Sequence, residues 1–464
     1  MMLCNKATVL LLLSVVLLCC RTEGNRDTRR TGRNSNPAPT PRRESMPSVL
    51  RKWSLTSNLP IVIVDTSGKW IPDEPKIHAK LTIIYDESGG RNSVKSSHVH
   101  FEGKIGIEVR GKTSQMFPKK QYGFEIVGNN GDSVDAPLLN LPTESDWILH
   151  APYSDKTLIR NFLAYHFSNQ IGRYAPRAKF VELFMNHTGE AKITQRHYAG
   201  VYLLMEKIKR GKDRIDIQSL EPTHHEPLEI TGGYILKIDK IDPYDSYFFT
   251  DFGTQLIHVY PKGNQINDAQ KAWIKNYMNA FETALIKDPK RGYAKYIDTS
   301  SFIDYFIINE LFRNIDAFHI STYMHRDRGG KLRMGPVWDF NLSMGNANYS
   351  DGWKPNGWLL HTRPVPFWWH RLLKDRNFKQ QLTKRWNELI KNELALSNIV
   401  KMIDQTVEYL AEAHPRNFQR WRILGQYVWP NQYPYPRTYE GEVDRLKTWL
   451  RNRVQWMDGH IKSL

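Results

Sequence analysis

Asp316 and Asp339 are the residues whose type and spacing most clearly invite chemistry. The run Asn309-Glu310-Leu311-Phe312-Arg313-Asn314-Ile315-Asp316 ends an amphipathic helical pattern on an acid. A predicted hairpin follows, and its far strand runs through Gly335-Pro336-Val337-Trp338-Asp339-Phe340-Asn341 into a second acid. A helix, an acid, a hairpin and an acid bring two carboxylates to one edge of a cleft. Phosphoryl transfer needs such a pair: one carboxylate orients the acceptor hydroxyl and the other holds the metal that bridges the phosphates. A lone Asp at either place is ordinarily a helix cap or a turn residue; the pair in this order is what points to chemistry.

Two other strings spell known motifs without their context. Gly106-Ile107-Glu108-Val109-Arg110-Gly111-Lys112-Thr113 fits the phosphate-loop pattern letter for letter. That loop must open a helix at its Lys, whereas Ile-Glu-Val favours a strand and Pro118 follows with no helical pattern between. His325-Arg326-Asp327 spells a kinase catalytic loop, but the position that should carry the metal-holding Asn is Leu332, and Arg328-Gly329-Gly330 is a tight turn. Both are chance matches. Thr223-His224-His225-Glu226 lies in a Pro-flanked loop without metal-ligand spacing.

The elements that must position the acid pair follow from periodicity. Strands are expected at 59–65, 79–85, 104–110, 121–126, 179–185, 199–205, 233–238 and 255–259, with a helix over 156–171. Beyond residue 267 the texture turns helical, over 268–286, 300–313, 366–394 and 397–413, interrupted by the 321–337 hairpin. The expected fold is α+β and two-lobed, with a sheet-rich lobe over about 58–265 and a helical lobe over about 266–464. Trp368, Trp369, Trp386, Trp421 and Trp449 fall at core positions of the helical part.

At 464 residues, 40% of them hydrophobic, the chain has the composition of a globular protein, and its net charge is +17. Its longest apolar stretch, Ala7 to Leu18, is too short for a membrane span. With Lys6 before it and Thr22-Glu23-Gly24 after it, this stretch has the pattern of a secretory signal peptide over residues 1–24. All three cysteines (Cys4, Cys19, Cys20) lie inside it, so the mature chain is expected to have neither disulfides nor thiol chemistry. Residues 25–57 form a basic, Pro- and Arg-rich tail that cannot bury apolar surface. Residues 25–52 hold eight basic and two acidic residues. Outside the cell such a chain meets acidic proteins, polyanionic glycans or acidic matrix before nucleic acid. Asn186, Asn341 and Asn348 head glycosylation tripeptides.

The segments Tyr153-Ser154-Asp155-Lys156-Thr157-Leu158-Ile159-Arg160-Asn161, Gly200 to Ile208, Gly232-Gly233-Tyr234, Asn314-Ile315-Asp316 and Gly335 to Asn341 closely resemble the spore-coat CotH kinase-like family, in the family's order. The resemblance runs from about Leu59 to the C-terminus. It implies an atypical protein-kinase-like fold that binds ATP and Mg²⁺ or Mn²⁺ between two lobes. By position, Asp316 matches the catalytic Asp and Asp339 the metal-binding Asp. Lys120 matches the phosphate-contacting Lys, with Lys119 the competing choice. Glu206 stands where the interlobe connection runs, either against nucleotide or paired with Lys207 or Lys209. Arg160 either faces the cleft or makes a surface ion pair. Many members carry Trp-Asp-x-Asp; here the second acid is Asn341, whose amide oxygen can still ligate a hard cation with one charge less. The resemblance implies a secreted kinase acting on hydroxyls of secreted or extracellular proteins. The competing reading is a catalytically inactive adhesin or matrix-binding protein on the same fold, and nucleotide transfer in place of phosphoryl transfer is a third.

Overall fold

The structure, a computed structural model, describes residues 56–288 and 292–464. The expected signal peptide and nearly all of the basic tail fall outside them. Among the described residues no helix is long and apolar enough to cross a membrane.

The strands are β1 Thr56–Ser57, β2 Ile61–Asp65, β3 Ile77–Ile84, β4 Asn92–Ser93, β5 Val99–Arg110, β6 Gln121–Val127 and β7 Asp146–His150. They continue with β8 Ala178–Asn186, β9 Tyr198–Glu206, β10 Tyr234–Ile238, β11 Tyr247–Phe249, β12 Gln255–Tyr260, β13 Thr322–Arg326 and β14 Leu332–Met334. The helices are α1 Arg160–Gln170, α2 Asp268–Lys287, α3 Thr299–Phe312, α4 Trp368–Leu372, α5 Arg376–Leu389, α6 Leu396–Tyr409, α7 Ala413–Arg420 and α8 Tyr439–His460.

The α+β expectation holds, and the first half is more specific than a sheet. Seven strands close into a barrel in the order β2-β3-β5-β6-β7-β9-β8. Closure comes from the parallel pairing of β2 with β8, Ile61 opposite Glu182 through Asp65 opposite Asn186. Closing the sheet leaves none of the seven with an open edge. Alternate residues fill the interior, among them Val62, Val64, Leu81, Ile83, Ile105, Ile107, Phe124, Leu149, Val181, Leu183 and Leu204. The outward-facing Phe180, Val201, Leu203 and Met205 belong instead to the large core shared with the helices.

A second, five-stranded sheet runs β11-β12-β10-β13-β14. It takes β10 to β12 from before residue 265 and the hairpin β13–β14 from after it, so this sheet crosses the sequence boundary drawn on texture. Gly232 and Gly233 explain themselves here. A Cβ on Gly232 would sit 2.1 Å from Asp327 and Arg328 backbone at the hairpin tip, and Gly233 takes a φ of +88°; only glycine admits both.

α3 is buried on every side from Ser301 to Phe312, as a central helix must be. Asp298 caps its start by accepting from the Ser301 N–H, and Arg313 ends it in a left-handed conformation (φ +45°). The helix expected over 366–394 divides into α4 and α5 where Asp375 starts a new N-cap. β7, β11, α7 and the 22-residue α8 have no counterpart in the periodicity reading. The phosphate-loop string lies within β5 and runs into a 3₁₀ turn at Thr113–Met116. Asp327 of the kinase-loop string accepts the Gln218 and Arg328 N–H groups at the hairpin tip. Asn186 is fully buried with its amide donating to Asp65 and Glu190, Asn341 is half-buried, and Asn348 is exposed.

Candidate functional site

Asp316 stands four residues beyond the end of α3, and Asp339 five residues beyond β14. The two loops are tied together by Asn314. Its side-chain oxygen accepts the Asp316 N–H (3.3 Å) while its amide donates to the Trp338 carbonyl (3.1 Å). Asp339 adopts φ +61°, a left-handed conformation that costs a non-glycine residue about 1–3 kcal/mol and persists only where the surroundings enforce it.

The enforcing contacts come from the barrel and α1. The Asp339 N–H donates to the Tyr165 hydroxyl (3.1 Å), and the Phe340 N–H donates to the Asn161 side-chain oxygen (2.5 Å). The Asn161 amide then faces His150 Nε2 (3.0 Å), and His150 Nδ1 faces the Gln121 side-chain oxygen (2.8 Å). Burial pushes His150 down to about 3, so the ring is neutral and can donate from Nδ1 while accepting at Nε2. Four elements, β6, β7, α1 and the loop after β14, therefore lock one backbone geometry.

Low-dielectric surroundings, with the Asp316 and Asp239 charges and against the pull of Arg110, push the Asp339 carboxyl up to about 7. Asp316 is likewise raised, first by desolvation, against the pull of His319 and Arg363. The Arg363 guanidinium lies 3.6 Å from the Asp316 carboxylate and 2.6 Å from His319 Nε2. The side-chain oxygen of Asn341 is buried and has no hydrogen-bond partner among the described residues. Among the described residues no three Asp, Glu, His or Cys side chains converge tightly enough to hold a metal alone. The donors here are two carboxylates and an amide oxygen, a hard-oxygen set suited to Mg²⁺, which keeps much of its shell for waters and phosphate oxygens.

Beside Asp339 opens a cavity of about 660 Å³ whose wall carries Arg110, Lys207, Lys237 and Lys262 with Tyr323 and Trp338. The Arg110 guanidinium stands 5.7 Å from the Trp338 ring centre, and Tyr165 stacks on the same ring at 6.0 Å. His258, pushed down to about 4 by burial, also lines the cavity, and its buried Nε2 has no partner among the described residues. Cations for phosphates, aromatic faces for a base and a buried acceptor make a cleft of nucleotide size.

Of the residues singled out from the sequence, Asp316, Asp339 and Asn341 fall in two loops joined by Asn314, and the Asp316 charge adds to the burial that raises Asp339. The others have protein partners. The Lys120 ammonium donates to the Gln115 carbonyl. Lys119 is buried, donating to the Val201 carbonyl (2.6 Å) and the Asn417 side-chain oxygen (2.9 Å). Arg160 is buried in an ion pair with Asp155 and donates to the Ser343 carbonyl (3.1 Å), bracing the chain just beyond Asn341. Glu206 accepts from Arg177 (2.6 Å) and the Tyr174 hydroxyl (3.1 Å); Lys207 and Lys209 pair with Asp146 instead.

Arg110, Asn161, Asp239 and Arg363 escaped the sequence reading as site residues. Two of them carried a signal: Asn161 closes the Tyr153–Asn161 run, and Asp239 follows the strand that Gly232-Gly233-Tyr234 opens. Arg110 was hidden inside the discarded phosphate-loop string.

A search of curated proteins returns no match. The family model described as CotH kinase protein matches residues 107–457, more than half of the chain and a span that takes in every element of the site. The chain belongs to the CotH kinase family.

Proposed function

We propose that this chain is a secreted atypical protein kinase, two-lobed about its cleft, that transfers the γ-phosphoryl group of ATP to hydroxyl side chains of secreted or extracellular proteins. The observation that carries the reading is the Asp339 carboxyl, raised by burial and then by neighbouring acids, two residues before Asn341 and directly after Trp338, which with Arg110 lines a cationic cavity. Family membership supports use of ATP and a divalent metal in general terms. Asp339 and Asn341 would hold Mg²⁺ or Mn²⁺, which when bound draws the phosphate oxygens together and offsets their charge.

Each side chain then has a task. Arg110, Lys207, Lys237 and Lys262 hold the phosphates, and Trp338 and Tyr323 supply flat faces for the base. Asp316 accepts a hydrogen bond from the acceptor hydroxyl and takes its proton as the oxygen–phosphorus bond forms and the bond to the β-phosphate oxygen breaks, releasing ADP. The desolvation that raises Asp316 makes it a better base than a solvated carboxylate. Arg160 and Glu206 stabilise the walls of the cleft, and Lys120 the approach to β6. The deciding experiment incubates residues 25–464 with γ-labelled ATP, Mg²⁺ or Mn²⁺ and a panel of secreted proteins, beside Asp339→Ala. Label transfer lost in the variant supports the kinase; label carried only from α-labelled ATP would mean nucleotide transfer. Metal-independent, salt-sensitive binding to acidic matrix with neither transfer would mean an adhesin.

A further inference from the structure

A second cavity of about 660 Å³ lies on the Asp316 side of the acid pair, lined by Tyr349, Ser350, Asp351, Trp353, Lys354 and Asn356 among others. Arg363, next to Thr362 of its lining, links it to Asp316. Arg363, 3.6 Å from the Asp316 carboxylate, donates to the Ser350 hydroxyl (2.8 Å) and lies 5.4 Å from the Tyr349 ring centre. Tyr349 is raised to about 12, by burial and then by the Asp316 and Asp339 charges, which sets its ring within their field. On its other side Tyr349 stacks on Trp429 at 6.0 Å and 15°, so the ring is a fixed wall.

The geometry of transfer gives this cavity a role. The phosphates and the acceptor oxygen must meet roughly in line at the transferred phosphorus. Arg110 and Trp338 of the cationic cavity adjoin Asp339, whereas Tyr349 of this one adjoins Arg363 and through it Asp316. Its size exceeds what a single hydroxyl side chain fills and suits a short stretch of chain. Its charge selects among stretches. Lys354 is exposed at the rim, Arg363 stands at the Asp316 end and Arg313 lies at the floor with its donors on backbone carbonyls. Among the described residues the only lining carboxylate is Asp351, 3.0 Å from Lys354.

We infer that this cavity is the acceptor groove, and that it takes an extended polypeptide segment in which the hydroxyl residue is flanked by acidic side chains. The inference rests on the kinase reading for its chemistry, while its test reads peptide binding alone. Two labelled peptides, identical except that the central Ser is flanked by Glu or by Lys, are titrated against the full chain by fluorescence anisotropy, with ATP–Mg²⁺ binding measured in parallel. The Glu peptide is expected to bind more tightly. Lys354→Glu should weaken it about fivefold and erase the preference, as reversal of one partly exposed charge does. Asn356→Trp, filling the groove from an exposed position, should weaken both peptides tenfold or more with nucleotide affinity unchanged. Tighter binding of the Lys peptide, or affinities that neither variant moves, would overturn the proposal. Failure of wild-type ATP binding alongside intact peptide binding would sink the kinase reading and leave the groove standing.

Discussion

Two sets of carboxylates in this molecule have opposite circumstances. At the end of the barrel, Glu144, Asp146 and Glu206 are each met by cations: Lys209 lies 2.7 Å from Glu144, Lys209 and Lys207 lie 3.0 and 3.4 Å from Asp146, and Arg177 lies 2.6 Å from Glu206. Glu310 on α3 is likewise enclosed by Arg453 from α8 (2.8 Å) and by the N–H groups of Leu359 and Leu360. Asp316 and Asp339 are instead raised, each first by burial, with the Asp316 charge adding to the rise at Asp339 and the Asp239 charge adding at both. Glu144 and Asp146 are held low despite burial, while Asp316 and Asp339 are held high. Enclosed carboxylates fasten elements together; carboxylates held high by burial and like charge are candidates for function.

The comparison breaks most sharply at Asp339. Asp339→Ala should reduce phosphoryl transfer about 10³-fold or more, roughly 4 kcal/mol of transition-state stabilisation, and should leave the metal-free thermal midpoint equal or higher, because a repelling charge is removed. A fall in both would make Asp339 another fastening residue. Glu310→Ala is the opposite experiment. Removing one partner of a buried, hydrogen-bonded pair should cost about 3–5 kcal/mol by denaturant titration, with nucleotide affinity of the folded fraction preserved.

The pH dependence sharpens the contrast further. The Asp339 carboxyl is raised from its unfolded value to about 7, so the folded state binds the extra proton. Its contribution favours folding at acid pH and is lost as pH rises toward and through 7. Metal-free stability should therefore decline over that interval, and Asp339→Asn should flatten the decline. Mg²⁺ with nucleotide must displace the same proton, so their affinity should weaken as pH falls below about 7. At about 100 times the dissociation constant, bound ligand should add about 2.7 kcal/mol of stability, read as a rise in melting temperature absent from Asp339→Asn.

The smallest effect is expected from the bracing network. Asn161→Ala frees the Phe340 N–H and His150 Nε2 together. It should lower kcat about tenfold through the Asp339 backbone, with a stability loss near 1 kcal/mol and KM for ATP nearly unchanged. Loss of stability without loss of kcat would make the network ordinary packing.

How much of this was legible in the chain depends on the range of the interactions involved. The α+β class, most strands and helices, and the pair Asp316 and Asp339 came from local periodicity and from motif order, which a linear sequence carries. α8 was missed because its apolar positions are interleaved with Arg and Lys whose stems cover the core, as with Arg453 beneath Trp358 and Trp456. The roles of Lys119, Arg160 and Glu206 were not legible, because a charged residue's partner is chosen by what folds against it. Lys119 finds Asn417 and Arg160 finds Ser343, 298 and 183 residues away. Arg110 and Asp239 become neighbours of Asp339 only when the barrel and the second sheet meet.

By itself, the sequence determined the elements, the apolar faces they bury and the family to which the chain belongs, since each rests on residue types at short, regular spacing. Tertiary structure alone decided the closure of the barrel by a parallel pair from distant strands. It also decided which acids were enclosed by cations and which were left to repel one another. Charge works through space and dielectric, and neither exists until the chain has folded.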